Sequence, residues 1–154
     1  MKKINMAFML VTLALMPVTQ DVIAQSKGVT QTTPAVRPEV AEEVKAWQGE
    51  EGIQVWVLRY GPREENKALV QITNIDHPWS QRIQLMDVQK NDKKKTYSLK
   101  VNGNRFVALN MFGSGMGELY LPDDKQSYRI SYSQSLSSYG NAQHFLTDYL
   151  NQKK

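Results

Sequence analysis

The sequence predicts a mainly β fold on the border of α+β: an antiparallel sheet or two-layer sandwich of six or seven strands, preceded by a short helix and followed by another. Three observations carry this expectation. From Gly52 onward, apolar and polar residues alternate with a period of two over short runs broken by Gly, Pro, Asn and Asp, as in strands with one covered face. Asn102-Gly103 sits between two such runs; both residues accept the positive φ that the type I′ turn of a tight antiparallel hairpin demands. Near the end the spacing changes, and Ala142, Phe145, Leu146, Tyr149 and Leu150 share a helical face behind Asn141, a residue suited to cap it.

The elements follow in order. Lys2 and Lys3 open the chain, Ala7 to Met16 is an apolar run ended by Pro17, and Val22-Ile23-Ala24 places small or short side chains where a signal peptidase reads. This resembles a Sec signal peptide cut after Ala24. Its run of about ten apolar residues is half the roughly twenty that a bilayer span requires. Residues 1–24 are therefore expected to be removed on export, leaving a periplasmic or secreted bacterial protein whose mature form has no transmembrane segment. Residues 25–38 are rich in Gln, Ser, Thr, Gly and Pro. They hold too few large apolar groups to offset the entropy of ordering, and read as a disordered lead-in.

Residues 39–154 read as a single globular domain. Val40, Ala41, Val44 and Trp47 fall at i, i+1, i+4 and i+7, acids cluster early at Glu39, Glu42 and Glu43, and Gly49 offers a stop. That spacing predicts an amphipathic helix from Glu39 to Gln48. Strands are expected over Ile53 to Tyr60, ended by Gly61-Pro62; over Lys67 to Ile75, ended by Asp76-His77-Pro78; and over Arg82 to Lys90. In the first of these Val55 and Val57 alternate with Trp56 and Leu58, so both faces are apolar and both need a cover. Tyr97, Leu99 and Val101 alternate with Ser98 and Lys100, giving one dry and one wet face. The hairpin's second arm is Asn104 to Phe112, and a last pair, Glu118 to Leu121 and Ser127 to Ser133, is joined through Pro122-Asp123-Asp124-Lys125. A domain of this size buries about two-thirds of its unfolded surface, enough for a core without cross-links.

Composition removes several chemistries. The chain has no cysteine, so disulfides, Cys-ligated zinc, iron–sulfur clusters, thiol catalysis and a lipidated N-terminal Cys are excluded. With two histidines, His77 and His144, no metal or other cofactor is expected. Loss of Lys2, Lys3 and Asp21 takes the 19 basic and 15 acidic residues to 17 and 14, a formal +3. The excess traces largely to Lys93-Lys94-Lys95 and Lys153-Lys154. Neither cluster is interleaved with aromatics, so nucleic acid is not expected as a partner.

Gly113-x-Gly115-x-Gly117 lacks the further glycine of a dinucleotide fingerprint and the Gly-Lys-Ser/Thr of a phosphate loop. It reads as a bulged or mobile strand connection whose apolar neighbours Phe112 and Met116 form a binding rim. Ser114 has Phe112 and Met116 where a nucleophile elbow has glycines, and adjacent Asp76 and His77 would face apart on a strand. Glu50-Glu51 and Glu64-Glu65 lie in polar connections, where water keeps them ionised. Trp79, next to His77 in a turn, is the expected exposed aromatic, and Tyr139 accompanies the serine-rich Ser131 to Ser138. The candidate binding residues are therefore Trp79, His77, Phe112, Met116 and Tyr139, on loops 76–81, 113–117 and 135–140. The functional expectation is an exported noncatalytic module that binds another envelope or secreted protein, with edge-strand addition as one route. The alternatives are a module for cell-wall or surface polysaccharide that stacks sugars on Trp79, and a small hydrolase using His77.

Overall fold

The computed structural model describes residues 36–153; the expected export signal and residues 25–35 of the lead-in lie outside them. Eight antiparallel strands close into an up-and-down barrel, each paired with the next and the last with the first. They are β1 (Lys45–Gly49), β2 (Gln54–Tyr60), β3 (Lys67–Thr73), β4 (Ile83–Lys90), β5 (Lys94–Val101), β6 (Asn104–Phe112), β7 (Met116–Tyr120) and β8 (Ser127–Tyr132). Two helices follow, a single turn α1 (Gln134–Ser137) and α2 (Ala142–Gln152).

The sheet is thus neither open nor a two-layer sandwich, and it has one strand more than the six or seven expected. The extra strand is β1, which lies where the sequence predicts a helix. Glu39 to Ala41 runs beside the end of β2, with Ala41 N–H donating to the Arg59 carbonyl and Gly61 N–H to the Glu39 carbonyl. The chain then bends into β1. Val40, Ala41 and Val44 join an apolar cluster outside the barrel, whereas Trp47 joins the cluster inside it. Apolar residues distributed over both sides of a ribbon reproduce the one-face spacing of a helix.

Closure sets the core. Inside lie Val55 and Val57 of β2, Val70 and Ile72 of β3, Leu109 and Met111 of β6, Leu119 of β7 and Ile130 of β8. The alternate residues of β2 to β4, Trp56, Leu58, Leu69 and Leu85, point outward and are covered by Phe145, Leu146 and Tyr149 of α2. This is the second cover that the doubly apolar β2 requires. Asn141 caps α2 by accepting from His144 N–H at 2.9 Å. At the far end the Gln152 amide both accepts from Ile83 N–H and donates to the Ile83 carbonyl, each at 2.9 Å. Beyond α2's cover the outer face carries Asp87, Gln89, Thr96, Lys100, Asn110, Glu118 and Arg129, exposed or half-buried. An apolar inside and a polar outside are the reverse of a transmembrane barrel.

Asn102 and Gly103 both have positive φ, 50° and 80°, so the hairpin between β5 and β6 forms as the dipeptide predicts. Ile130 pairs with Gly49 on one side and with Gly117 on the other. A Cβ at Gly117 would lie 2.6 Å from Met111 Sδ and 3.0 Å from the Asn110 carbonyl oxygen. The bare backbone lets the strands converge around Ile130 where the barrel closes. We expect Gly117→Ala to lower stability by about 2 kcal/mol through overpacking. In urea unfolding this should appear as a lower midpoint with an unchanged slope.

Candidate functional site

The strand connections alternate between two ends of the barrel, and the ends are built differently. One end holds the β1–β2 turn, the long β3–β4 loop (74–82), the Asn102-Gly103 turn and the β7–β8 connection. There the Trp79 ring meets Phe106 edge to face at 5.9 Å and His77 at 5.8 Å. Trp79, Ile75 and Phe106 all pack on the interior cluster. His77 Nδ1 accepts from Trp79 N–H at 3.1 Å, and its Nε2 lies 3.2 Å from the Pro122 carbonyl oxygen. With Nδ1 accepting, Nε2 is the nitrogen that donates. Trp79 and His77 therefore form a plug that stoppers this end. The half-buried Trp79 is not the exposed platform that its turn context suggests, and both His77 nitrogens are engaged in the stopper.

The opposite end is open. It holds the connections 61–66, 91–93 and 113–115, the segment entering β1 and the one leaving β8. A cavity of about 1290 Å³ lies here. Its walls include inward-facing residues of successive strands: Trp47 of β1, Val57 of β2, Ala68 of β3, Val88 of β4, Tyr97 of β5 and Met111 of β6. An eight-strand barrel is just wide enough to be filled by side chains or to hold one small ligand. This barrel is filled toward the plug and hollow toward the mouth.

Cations stand one step nearer the rim. Lys45 precedes Trp47 by two residues, Lys95 precedes Tyr97 by two and Lys90 follows Val88 by two, so each shares the inward side of its strand. Lys90 and Lys95 are also directly paired across β4 and β5. Among the described residues, ion pairs join Arg59 to Glu39 and Lys67 to Asp87; no carboxylate pairs with Lys45, Lys90 or Lys95. The Lys95 pKa is lowered, first by loss of surrounding water and then by the charges of Lys45 and Lys90. Asn91 holds the turn beneath these lysines, its side-chain oxygen accepting from Lys93 and Lys94 N–H at 2.9 Å each. Glu39, Glu42 and Glu43 line the same mouth.

Two further groups face this hollow. Tyr97 is buried, and burial raises its phenol to about 12. Trp47 is 8 % exposed, and its Nε1 is buried without a hydrogen-bond partner among the described residues. Tyr132, exposed at the rim, packs edge-on against the indole with ring centroids 5.6 Å apart.

A second hollow of about 660 Å³ lies on the outer face over β4 to β7. Several of its polar groups satisfy one another: Arg105 donates to Ser98 and Gln89, Thr96 to Asn110, and Tyr120, at its edge, to Glu118. Lys90 and Lys94 also line it. Among the described residues no three His, Asp or Glu side chains gather to hold a metal ion, and no helix is long and apolar enough to cross a membrane. No family model matches the chain, and neither the curated proteins nor the solved structures give a match.

The expected binding loops thus do not meet. Trp79 and His77 are at the plug, while Phe112 lines the mouth and Met116 begins the strand beside it, both partly exposed. Tyr139 is 82 % exposed on the link between α1 and α2 and is not part of the mouth's lining. The serines near it serve locally: Ser133 caps α1, Ser133 N–H donates to the Ala46 carbonyl, and Ser137 Oγ accepts from Ala46 N–H. The sequence reading missed Lys45, Lys90, Lys95, Trp47 and Tyr97. For Lys95 a signal existed: the alternation of Tyr97, Leu99 and Val101, carried back two residues, puts Lys95 on the dry face.

Two outcomes follow from these environments. A phenol near 12 when folded and near 10 when unfolded is released on unfolding, so Tyr97 makes stability fall as pH rises from about 10 to about 12. Lys95 acts with the opposite sign, its charge penalty fading as pH approaches 10.5. Tyr97→Phe removes only the first effect, and its stability relative to the parent should improve by about 3 kcal/mol across that window, measured by urea unfolding at each pH. Trp79→Ala should cost about 2 kcal/mol by thermal or urea unfolding, because it opens the plug and unpacks Phe106.

Proposed function

We propose that this chain is an exported, noncatalytic binding module, and that it engages an anionic group of another envelope or secreted component through the open mouth of the barrel. One observation carries this reading: three lysines, without carboxylate partners among the described residues, converge over an apolar hollow at one end of a barrel whose other end is stoppered. Like charges gathered in a partly shielded place repel one another, and a bound anion relieves that repulsion. The geometry also favours the mouth over the routes suggested by sequence. Every strand is hydrogen-bonded on both sides, so no strand offers a whole free edge for a partner strand to complete. Trp79 and His77, the residues on which sugar stacking and hydrolysis would rely, are engaged with Phe106, Pro122 and each other in the plug.

The test is chemical-shift mapping of the isotope-labelled protein against peptidoglycan fragments, an acidic polysaccharide, an acidic peptide and a small organic acid. The expected result is a saturable shift of the Trp47 indole N–H, Phe112, Gly113 and Gly115 with at least one anionic member. Shifts confined to the plug or the outer face would overturn the assignment of the mouth. No shift with any member would overturn the binding reading.

A further inference from the structure

Resting on the reading that the mouth is the binding site, we infer that its ligand is a small, singly charged organic acid with an apolar body, of the alkanoate type. The carboxylate sits among Lys45, Lys90 and Lys95, and the hydrocarbon lies on Val57, Val88 and Met111 below them.

Four features select this class. The lysines supply positive charge with no carboxylate paired to it among the described residues, so the head group must be an anion. The floor is apolar apart from Tyr97 and Trp47, so a sugar or a hydrophilic peptide entering it would leave polar groups unpaired. The mouth also carries Glu42 and Glu43 and, in the β4–β5 turn, Asp92, which repel the outlying charges of a polyanion while tolerating a single carboxylate held by the lysines. Among the described residues the buried Trp47 Nε1 is a donor with no acceptor. Tyr132, exposed and edge-on against the indole, lies between it and the rim, so tryptophan emission reports on the mouth. The cavity of about 1290 Å³ lies above the usual few hundred to a thousand cubic ångströms of small-molecule pockets, so a medium-length chain fits within it.

The experiment is calorimetric titration of the protein with decanoate, with tryptophan emission followed in parallel. Decanol, citrate and a hexaglutamate peptide serve as comparison probes. Decanoate is expected to bind one site saturably and shift the emission, with decanol and citrate each weaker by about tenfold or more, the scale of one lost charge-assisted contact. The double variant Lys45→Gln/Lys95→Gln is expected to lose about tenfold in decanoate affinity. Its melting temperature should be equal to or above the parent's, because the repulsion is gone, so the loss cannot be ascribed to misfolding. Decanol or citrate binding as tightly as decanoate overturns the inference, as does unchanged affinity in a folded double variant. Hexaglutamate binding more tightly than decanoate overturns it in favour of an acidic protein segment. If decanoate is silent while another anion shifts the mouth's resonances, this inference fails and the mouth remains the site; if nothing shifts them, both fail.

Discussion

The pairing of β1 with β8 is the interaction on which the rest of the structure depends. Trp47 to Gly49 meet Ile130 to Tyr132 in antiparallel register, and with that ladder a curled sheet becomes a barrel. A sheet left open at this seam would present two unpaired edges and an interior open to water along its whole length. The seam is reinforced from outside: Ser133 and Ser137 bond both backbone groups of Ala46, fastening β1 to the turn that follows β8. Gly49 and Gly117 let the neighbouring strands approach Ile130 at the same level. Closure also makes the site. Lys45 and Trp47 belong to β1, so the wall that carries the unpartnered indole and one of the three lysines exists only because the seam forms.

Much of the body is legible in the residues because it rests on local rules. Positive φ at Asn102 and Gly103 is a property of those two residues, the strand alternation of β2 to β6 needs only a covered face, and the cap and apolar face of α2 lie within a dozen positions. The strand β1 fails the same test for a physical reason. The apolar residues that lead into it and lie within it divide between two cores, Val44 toward α2 and Trp47 toward the barrel interior, and a ribbon with two covered sides loses its period of two. Six or seven strands thus become eight, and a sheet that could end anywhere becomes one that must close. Long-range pairing is what local periodicity omits.

The site was less legible than the fold because residue type was a poor guide to position. Aromatic side chains in turns suggest exposed platforms, yet Trp79 gains more from covering the end of the barrel, where its ring meets Phe106 and the interior cluster, than from standing in water. A run of three lysines suggests a solvated turn, and Lys93 behaves that way. Lys95, though its head group is exposed, shares the inward side of its strand with Tyr97, because β5 starts at Lys94 and turns every second residue inward.

Stability and site oppose each other at the mouth. Lys95 carries a penalty there, its charged form disfavoured by partial loss of water and by the neighbouring charges of Lys45 and Lys90. A purely structural barrel would resolve this by moving Glu42 or Glu43 onto the lysines, as Glu39 already pairs with Arg59 a short distance away. Instead Glu42, Glu43 and Asp92 line the same opening as the lysines without an ion pair to Lys45, Lys90 or Lys95 among the described residues. Acids interspersed with cations leave room for one bound negative charge and disfavour several. A ring of lysines alone would bind any polyanion in its surroundings through long-range attraction that salt readily screens. An opening that also carries acids, with apolar residues beneath, discriminates by the number of charges and by what is attached to them.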